Sequence, residues 1–441
     1  KVDFIDLSGV QNYLDVIQNY VKTNSDVEVF GLTATTPQIP NAVKISEAIK
    51  QIEPNKKTIL GGPHVTLMNT ASKREKKRDL KFGDRATKDI EGLLSAFDVV
   101  VCGDGEFAIF DALEINNGII DADDKKSPLF LSNKDFSNLP MPARHLVDMD
   151  TYNYSIDGFK SVSLIAQLGC PFRCTFCSGR NSPFLRVIRQ RSSDSILQEI
   201  EHLHKTYGFQ GFMFYDDELN VNRGMVELMN KIADYQDEND VEFRLRGFVK
   251  AELFNEEQAI AMKRAGFRWL LTGFESGDER ILKNIKKNAT LDDNTRCVET
   301  AKNNGLKVKA LMSVGHAGES HGSIENTKRW LLDVEPEEFD CTVITTYPGS
   351  PYFDDRLYQS SIDYLKELDY YKGDPDGGYV SYVWTDHISS KDIVKERDNL
   401  ENEVRTKLNI PFNRSHPGIV YEHSMGMGNV QIPSHILRST K

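Results

Sequence analysis

The chain has 441 residues, which at about 150 residues per domain predicts about three domains and a sizeable buried core. Its composition, 39% hydrophobic and 27% charged, excludes a disordered or low-complexity scaffold, and its net charge of −12 disfavours general binding to nucleic acid or to an anionic membrane surface. No apolar run approaches the ~20 residues needed to cross a bilayer, so we expect no membrane span.

The first part of the chain predicts a mostly parallel sheet with helices between its strands. Because the chain opens within the first predicted strand, we expect a further segment upstream. Alternating apolar and amphipathic stretches of this kind are typical of βα units. Short apolar runs predict strands at residues 2–7, 27–32, 58–60 and 98–102, and apolar residues at helical spacing predict helices at 10–21 and 42–52.

One basic segment interrupts this alternation. Residues 72–88 include eight Lys or Arg among seventeen residues and few large apolar side chains, so we predict an exposed loop. A solvated face is the simpler interpretation of such a run of charge, and a docking surface is the alternative. Further along, residues 127–154 contain Pro128, Pro140 and Pro142 without clear periodicity and are predicted to be a linker.

The second part of the chain predicts a longer series of βα units. Six consecutive units suit a barrel or partial barrel better than one small doubly wound sheet. The periodicity fades after Tyr347, and eight of the sixteen tyrosines lie between Tyr347 and Tyr382. The predicted strands are 163–167, 211–215, 242–248, 268–273, 307–313 and 339–345, and the predicted helices are 194–207, 223–238, 291–304 and 323–333.

Small and hydroxyl-bearing residues follow the predicted strands of the first part. In an open α/β sheet the ligand lies outside the carboxyl ends of the strands, so these loops are expected to converge on one large polar ligand. Ordinary turn chemistry is the alternative for any single loop. The candidate residues are Ser8, Thr33, Thr35, Thr36, Gly61, Gly62, Pro63, His64, Cys102, Gly103, Gly105 and Glu106.

A dinucleotide-binding pattern, G-x-G-x-x-A, also occurs at residues 103–108. Asp104 and Glu106 would place two carboxylates where a pyrophosphate must lie, at a helix N-terminus that favours anions. Glu106 suits instead the first turn of a helix, where the dipole favours an acid. We therefore reject a nicotinamide cofactor.

Three cysteines lie at the mouth of the predicted barrel. Cys170, Cys174 and Cys177 follow directly on a predicted strand, and three thiolates on one short loop can hold three corners of an iron–sulfur cubane. A structural zinc would require a fourth ligand at regular spacing, and the sequence has no second pair of close cysteines. Three cysteine ligands leave one iron open, which favours a catalytic cluster in a reducing compartment, expected to be the cytoplasm.

Polar residues also follow the predicted barrel strands, at the end where barrel active sites form. The acids are candidates for binding an amine, a ribose or a metal, and helix capping is the alternative. His316 is a candidate proton donor or acceptor, and a hydrogen-bonded structural histidine is the alternative. The residues are Tyr215, Asp216, Asp217, Glu218, Glu275, Ser276, Gly277, Gly315, His316 and Glu319.

The spacing C-x3-C-x2-C, with Phe176 before the last cysteine, resembles the signature of radical S-adenosylmethionine (radical SAM) enzymes. The resemblance covers about residues 1–350. Two departures are Leu168, where relatives commonly carry arginine, and His316-Ala317, which replaces the usual Leu-Pro. Strand-end residues 214–218, 273–277, 315–320 and 346–351 are similar to that family's motifs, and residues 31–37, 61–66, 102–106 and 139–144 resemble the cobalamin-binding domain and linker of its vitamin B12-dependent subfamily.

The resemblance implies an α/β fold built from four consecutive parts. It begins with a Rossmann-like (flavodoxin-like) cobalamin-binding domain at residues 1–126, expected to lack its first strand and helix. A linker at 127–160 leads into a partial (β/α)6 TIM-type radical SAM barrel at 161–350. A small C-terminal domain at 351–441 follows, and its tyrosine-rich start is a candidate wall of the substrate site, with plain packing as the alternative.

The resemblance also implies three cofactors: a [4Fe–4S] cluster, S-adenosylmethionine and cobalamin. The three cysteines would ligate the cluster, and its open iron would be chelated by S-adenosylmethionine. Phe176 would pack by the adenine, while Asp216, Asp217, Glu218 and Glu275 would help hold the amine and ribose, with Ser276 and Gly315 beside them. Thr33, Thr35, Gly61 and Gly62 would line the slot for the cobalamin nucleotide tail.

The activity implied by the resemblance is cobalamin-dependent methylation of an unactivated carbon, or of phosphorus, in a small-molecule or peptide substrate. One S-adenosylmethionine would be cleaved to a 5′-deoxyadenosyl radical, and a second would supply the methyl group through cobalamin. A reducing partner such as flavodoxin or ferredoxin is expected. The candidate catalytic residues are Tyr215, Glu275, His316 and Tyr347.

Several alternatives stay open at this point. The same cofactors could support a cyclase or rearrangement enzyme that transfers no methyl group. A non-enzymatic cobalamin or cluster sensor and a zinc-binding α/β protein are candidates from other classes. Methylthiolation of tRNA is disfavoured, because the sequence has neither a second cysteine set nor a basic tail.

Overall fold

Two parallel sheets organise the protein. The computed structural model describes residues 2–79, 84–152, 154–354, 380–411 and 439. The first sheet has four strands and the second has seven. Within the described ranges, no helix combines the length and the apolar character that a membrane span needs.

The four strands of the first sheet are parallel and lie side by side in chain order. Leu60, Val100 and Cys102 pack against α2, α3 and α4, whereas Ile59 and Val101 pack against α5 on the opposite face. Both faces are therefore buried, as is usual for a parallel sheet. The elements are α1 (Tyr13–Thr23), β1 (Val29–Thr33), α2 (Ile39–Ile52), β2 (Lys57–Gly61), α3 (Pro63–Lys77), α4 (Arg85–Ala96), β3 (Val99–Gly103), α5 (Gly105–Glu114) and β4 (Gly118–Ala122).

The strand predicted at residues 2–7 is wrong, because the structure assigns no strand there. Hydrogen bonds to side chains, and not a ladder of backbone hydrogen bonds, fix this segment. The Asp6 carboxylate accepts from the Ser8 amide at 2.9 Å and from the Tyr152 hydroxyl at 2.6 Å. Ser8, a predicted ligand-loop residue, consequently lies in a turn before α1 and follows no strand.

The exposed loop predicted at residues 72–88 is also wrong, because α3 and α4 occupy most of this segment. Residues 80–83 lie outside the described ranges. Ala86 and Thr87 are buried, and their amides donate to the Glu75 carboxylate at 3.0 and 2.9 Å. This contact satisfies two N-terminal donors of α4 that have no partner within the helix. The apolar inner face of the segment is built from small side chains, which a search for large apolar residues does not detect.

The second sheet is an open barrel of six parallel strands with a short antiparallel strand, β5, at one edge. It confirms the predicted partial (β/α)6 barrel. The order across the sheet is β13-β12-β11-β10-β9-β6-β5. The strands are β5 (Ser155–Ile156), β6 (Phe159–Leu164), β9 (Gly211–Phe214), β10 (Arg244–Phe248), β11 (Phe267–Glu275), β12 (Lys307–Val314) and β13 (Glu338–Val343), and a separate hairpin pairs β7 (Gln167–Leu168) with β8 (Arg189–Gln190).

Helices alternate with these strands and cover the outside of the barrel. The last one packs against β13, where Arg397 Nε donates to the Cys341 carbonyl at 2.7 Å and Arg405 Nη2 to the Phe339 carbonyl at 2.7 Å. The helices are α6 (Asn133–Asn138), α7 (Pro183–Arg186), α8 (Ser193–Tyr207), α9 (Met225–Asn239), α10 (Glu256–Arg264), α11 (Glu279–Asn284), α12 (Leu291–Asn303), α13 (His321–Val334), α14 (Pro351–Asp354) and α15 (Ser390–Leu408).

Candidate functional site

The three predicted metal ligands lie on one loop at the carboxyl edge of the barrel. Cys174 is buried, Cys170 is half-buried and Cys177 is exposed. Gly169 precedes them with φ +88°, and a Cβ at this position would lie 2.2 Å from the Val187 carbonyl oxygen. Only glycine permits this close approach without displacing the backbone. The loop is therefore packed tightly where it begins.

The donor set of this loop is three thiols. Burial raises the pKa of Cys170 to about 12, which keeps the metal-free thiol protonated, whereas metal coordination deprotonates a thiol. In the part of the chain that the structure describes, no group of three His, Cys, Asp or Glu side chains is placed to hold a single metal ion. An iron–sulfur cubane bonds each cysteine to a different iron.

Asp216 and Asp217, predicted to bind a cofactor, hold the backbone that leads into the cysteine loop. Asp216 is 2% exposed, and its Oδ1 accepts from the amides of Ala166, at 3.0 Å, and Gln167. Asp217 Oδ2 accepts from the Gly169 amide at 2.8 Å. Burial raises the pKa of Asp216 to about 8, so the carboxyl group is mostly protonated at neutral pH. These carboxylates connect the end of β9 to the start of the loop.

A buried polar chain crosses the mouth of the barrel between β11 and β12. Glu275 ends β11 with φ +67°, a strained conformation for a residue other than glycine. Its Oε1 lies 3.3 Å from Lys287 Nζ, and its Oε2 accepts from Ser313 Oγ at 2.7 Å. Ser313 Oγ also lies 2.8 Å from His316 Nε2. Two predicted catalytic residues, Glu275 and His316, are thus brought together.

His316 is fully buried at the end of this chain. Burial lowers its pKa to about 4, so the imidazole is neutral at neutral pH. Its ring centroid lies 5.2 Å from that of Phe176 in the cysteine loop and 6.3 Å from that of Tyr352. Its Nδ1 has no hydrogen-bond partner among the described residues. A buried polar atom without a protein partner, such as this Nδ1, is suited to hydrogen-bond a bound ligand.

Two lysines that the sequence does not predict as site residues stand beside the cysteine loop. Burial pushes the pKa of Lys287 down, but the carboxylate of Glu275 and other nearby anions raise it overall, so Lys287 is charged. Lys250 Nζ donates to the Lys287 carbonyl at 3.1 Å and lies 4.3 Å from the centre of the Phe172 ring. Burial raises the pKa of Glu218 to about 7, with Lys287 and Lys250 opposing the shift.

The glycines predicted to line a ligand slot sit at the carboxyl edge of the first sheet. Gly62 has φ +106°, and a Cβ there would lie 2.7 Å from the Ala34 carbonyl oxygen and 2.9 Å from Thr33 Oγ1. Gly103 has φ +89°, and a Cβ there would lie 2.4 Å from the Asp123 amide nitrogen. At both positions the glycine backbone packs directly against the neighbouring backbone, and any side chain would displace that neighbouring backbone.

His64 lies behind this edge and not on it. The side chain is fully buried, with Nδ1 3.2 Å from Thr36 Oγ1 and Nε2 3.1 Å from Asp89 Oδ2. The imidazole therefore joins the loop after β1 to α3 and α4. The Cys102 thiol is likewise buried, 3.5 Å from the Val65 carbonyl oxygen, so the side chain belongs to the core.

The remaining predicted residues are divided between the two edges. Thr35 begins the turn before α2, Pro63 begins α3, and Gly105 and Glu106 begin α5. Ser276 is buried, 3.2 Å from Thr327 Oγ1, and Tyr215 is 50% exposed. Gly315 follows β12 with φ +97°. Tyr347 packs against the core of the first sheet, and residues 355–379 of the tyrosine-rich segment lie outside the described ranges.

The two edges approach each other beside Cys177. Gly349, with φ +79°, stands between them: a Cβ there would lie 2.7 Å from the Ser178 carbonyl oxygen and 3.1 Å from Leu67 Cδ2. Ser178 follows Cys177 directly, and Leu67 belongs to α3. The helix that begins at the glycine-rich edge of the first sheet therefore runs alongside the cysteine loop.

Comparison with known proteins agrees with this architecture. Residues 164–331 match the model of the radical SAM superfamily. The chain is 29% identical over 353 residues to an uncharacterized methyltransferase of Pyrococcus horikoshii, covering 76% of this chain and 70% of that protein. It is 26% identical over 351 residues to the anaerobic magnesium-protoporphyrin IX monomethyl ester cyclase of Rubrivivax gelatinosus, covering 78% of this chain and 60% of the cyclase.

A solved structure with the same fold is the radical S-adenosylmethionine methyltransferase TsrM from Kitasatospora setae, determined with cobalamin and a [4Fe–4S] cluster bound. The TM-score is 0.60 at 16% sequence identity, and the match covers 80% of this chain and 70% of that protein. The chain therefore contains, at residues 164–331, a segment that matches the radical SAM superfamily, and it has the fold of this methyltransferase.

Proposed function

We propose that the protein is a cobalamin-dependent radical SAM methyltransferase that methylates an unactivated carbon, or phosphorus, of a small-molecule or peptide substrate. The observation that carries this proposal is the pairing of two edges: a three-cysteine loop at the barrel mouth and a glycine-lined edge of the first sheet, joined beside Gly349. One edge suits an iron–sulfur cluster and the other suits a large cofactor that needs close backbone approach.

The residues of the barrel mouth fit a cluster with S-adenosylmethionine. Cys170, Cys174 and Cys177 supply three thiolates, and the fourth iron stays open for the amino acid part of the ligand. Phe176 presents an apolar face next to the unpaired Nδ1 of His316, which together suit a flat heterocycle such as adenine. Bound there, the cluster supplies the electron that cleaves S-adenosylmethionine.

Acids beside the loop complete this proposed binding site. We assign to Glu218 and Glu275 the amine and ribose contacts, because both carboxylates stand near the cysteines and are balanced by Lys287. Asp216 and Asp217 act through the backbone that they hold. Ser276 and Gly315 shape the adjoining turns, and Tyr215 and Tyr347 are the candidate contacts to the substrate.

The first edge fits cobalamin by shape. Gly61 and Gly62 leave no side chain between the β1 and β2 loops, and the hydroxyl groups of Thr33 and Thr35 lie at the same place. Gly103 likewise leaves no side chain against the end of β4, and Gly105 begins α5 two residues later. We assign these residues to the nucleotide tail and leave the corrin on the side of the barrel. His64 and Thr36 support this surface from inside the domain.

The reaction also requires an external electron, which we assign to a small reducing protein such as flavodoxin or ferredoxin in the cytoplasm. Arg180 lies close to the cysteine loop: burial and the charges of Arg186 and Arg173 lower its pKa. Arg78 and Lys77, at the end of α3, are exposed nearby. Such a basic surface on a chain of net charge −12 suits an acidic protein donor.

Anaerobic reconstitution with iron, sulfide and hydroxocobalamin tests the proposal. We expect about four iron atoms and about one cobalt atom per chain. With S-adenosylmethionine and titanium(III) citrate, the protein should release both 5′-deoxyadenosine and S-adenosylhomocysteine. Zinc without iron or cobalt would contradict the proposal.

A second candidate is favoured by the 26% identity with the cyclase over 78% of this chain. A cyclase or rearrangement enzyme uses the same cofactors and transfers no methyl group. It should release 5′-deoxyadenosine without S-adenosylhomocysteine, so the same assay separates the two functions.

A further inference from the structure

One segment of the barrel domain touches both edges of the candidate site. Residues 182–189, here called the bridging segment, run from the turn after Cys177 into strand β8. On one side the segment contacts acids that follow β3 and β4 of the first sheet. On the other side it contacts the cysteine loop.

Asp123, directly after β4, makes the first of these contacts. The side chain is 4% exposed. Its Oδ1 accepts from Ser182 Oγ at 2.8 Å and from the Phe184 amide at 2.7 Å, while Oδ2 accepts from Thr70 Oγ1 of α3 at 2.6 Å. One carboxylate thus joins β4, α3 and the bridging segment, far from solvent.

Asp104, directly after β3, makes the second contact. Its two oxygens lie 2.6 and 2.5 Å from Arg189 Nη1, and both side chains are 1% exposed. Asp104 also accepts from the Leu131 amide at 2.9 Å, and Arg189 Nη2 donates to the Phe184 carbonyl at 2.8 Å. This buried ion pair is supported by the additional hydrogen bonds. Removing either partner would leave an uncompensated charge, so the pair favours one arrangement of the first sheet and the bridging segment.

The opposite side of the bridging segment holds the cysteine loop. The Leu185 carbonyl accepts from the Cys170 amide at 2.9 Å. Arg186 donates from Nη1 to the Phe172 carbonyl and from Nη2 to the Pro171 carbonyl, each at 2.7 Å. The Asp123 contact at Phe184 and the Cys170 contact at Leu185 are made by adjacent residues. This short segment therefore fastens the cysteine loop to the first sheet.

We propose that Asp104 and Asp123 are positioning residues that fix the first-sheet edge relative to the cysteine loop, and thereby align methyl donor and acceptor. This inference rests on the proposed function. In that function the methyl group of S-adenosylmethionine, bound at the barrel, must reach the corrin bound at the first sheet. A misplacement of about 1 Å between reacting groups costs about a hundredfold in rate. Two buried acids that contact one segment supply this precision without touching either reactant.

The transfer of a methyl group between the edges is a step that needs no substrate. The S–CH3 bond of S-adenosylmethionine breaks, its electron pair stays on sulfur, and S-adenosylhomocysteine leaves. In the proposed function, the new carbon–cobalt bond would take its electron pair from cobalt(I), which two molecules of titanium(III) citrate would generate from hydroxocobalamin by delivering one electron each. Reductive cleavage to 5′-deoxyadenosine needs only the barrel and serves as the internal reference.

The test compares Asp123→Ala and Arg189→Lys with the wild-type protein, each reconstituted with iron, sulfide and hydroxocobalamin. We expect S-adenosylhomocysteine formation to fall by about tenfold to a hundredfold in both variants. Formation of 5′-deoxyadenosine and the affinity for hydroxocobalamin should stay within about twofold of wild type. Asp123→Asn, which still accepts from the Phe184 amide, should recover most of the lost rate. Glu75→Ala removes a carboxylate contact inside the first domain alone and should leave the product ratio unchanged.

A measurement on the apoprotein gives an independent readout. Calorimetry of the wild type should show one unfolding transition, because the buried contacts couple the domains, whereas Asp123→Ala should show two. Unchanged S-adenosylhomocysteine formation in both variants, or a single transition in all proteins, would overturn the inference. A wild-type protein that forms neither product would instead refute the proposed function, so the two failures are distinguishable.

Discussion

At the scale of single residues, substitutions of Cys177 and Cys297 distinguish a proposed cluster ligand from a cysteine that only packs in the core. Cys177 is exposed on the loop and Cys297 is buried in the barrel core. Cys177→Ser should lower the iron and sulfide content by about half or more and abolish 5′-deoxyadenosine formation, because the cluster loses a corner. The melting temperature of the apoprotein should hardly change.

The control variant Cys297→Ser should do the opposite: it should keep the cluster and lose about 1–3 kcal/mol of stability by burying a hydroxyl. Equal iron loss in both variants would contradict the assignment.

His316 should make stability depend on pH in a known direction. Its folded pKa of about 4 lies below the ordinary 6.5, so between these values the unfolded chain binds a proton that the folded chain does not. Stability from this residue is complete above pH 6.5 and falls as the pH falls towards 4, by about 3 kcal/mol in all. The groups around the ring are Ser313, Glu275 and Lys287, and of these Glu275 raises the pKa of His316 whereas Lys287 lowers it, both by less than burial does.

Urea denaturation at pH 7.5, 6.0 and 4.5 measures this effect. His316→Leu should flatten the acid side of the curve, whereas His321→Gln, at an exposed histidine, should leave it unchanged. Buried carboxyls such as Asp216, whose pKa is raised, act oppositely and are common to all three proteins. Identical pH curves for wild type and His316→Leu would show that the imidazole is not held neutral.

At the scale of elements, Gly62, between β2 and α3, and Gly31, within the neighbouring strand β1, form a matched pair. Gly62 ends the β2 turn at φ +106°, with the Ala34 backbone 2.7 Å from any added Cβ, whereas a Cβ on Gly31 would meet nothing within 4 Å. Gly62→Ala should cost about 1–3 kcal/mol and weaken hydroxocobalamin binding at least tenfold, because the slot changes shape. Gly31→Ala should bind normally. Absorbance titration measures the affinity of both variants for hydroxocobalamin. Equal affinity in the two variants would show that the cobalamin site is not at this edge of the sheet.

Elements were predictable from sequence where their periodicity was strong. All six parallel barrel strands lie near their predicted positions, since each combines apolar residues with a following polar loop. Strand β4 contains only two large apolar residues, Ile119 and Ile120, and escapes the pattern, yet it leads directly into Asp123 at the interface between the sheets. Helix α3 was obscured because its basic side chains face outward and its inner face is made of small residues such as Ala71.

The candidate site was predictable in part, for a related reason. The cysteines are predictable from their spacing, and Glu275 and His316 from their positions directly after predicted strands. Lys287 and Lys250 do not, because only the tertiary fold brings them together. The same holds for the bridging segment, whose contacts join residues far apart in the chain, 85 positions for Asp104 and Arg189. A sequence pattern reports local periodicity and cannot report which strand ends meet.

At the scale of the whole molecule, charge is unevenly distributed. The chain carries a net charge of −12, yet Lys76, Lys77 and Arg78 are exposed at the end of α3. Arg74 of the same helix stands near Arg180, and burial together with these neighbouring charges lowers the pKa of Arg74. Through Arg74, this basic end of α3 approaches Arg180, three residues after Cys177, on the side where the proposed reaction would take up an electron.

Charge reversal at this surface should slow electron delivery by a protein and leave a chemical reductant unaffected. We expect the triple change of Lys76, Lys77 and Arg78 to Glu to reduce flavodoxin-driven 5′-deoxyadenosine formation by about tenfold at low salt, because attraction steers the encounter of oppositely charged proteins. The difference should shrink as salt screens the charges. With titanium(III) citrate the variant should match the wild type, which also shows that it folds. Changing Lys205, Lys263 and Lys302 to Glu is the control, because these three exposed lysines lie in the last turns of barrel helices, at the end of the barrel opposite the cysteine loop. Equal slowing by both variants would mean that net charge alone, and not the surface beside the cysteine loop, governs the reaction with the donor.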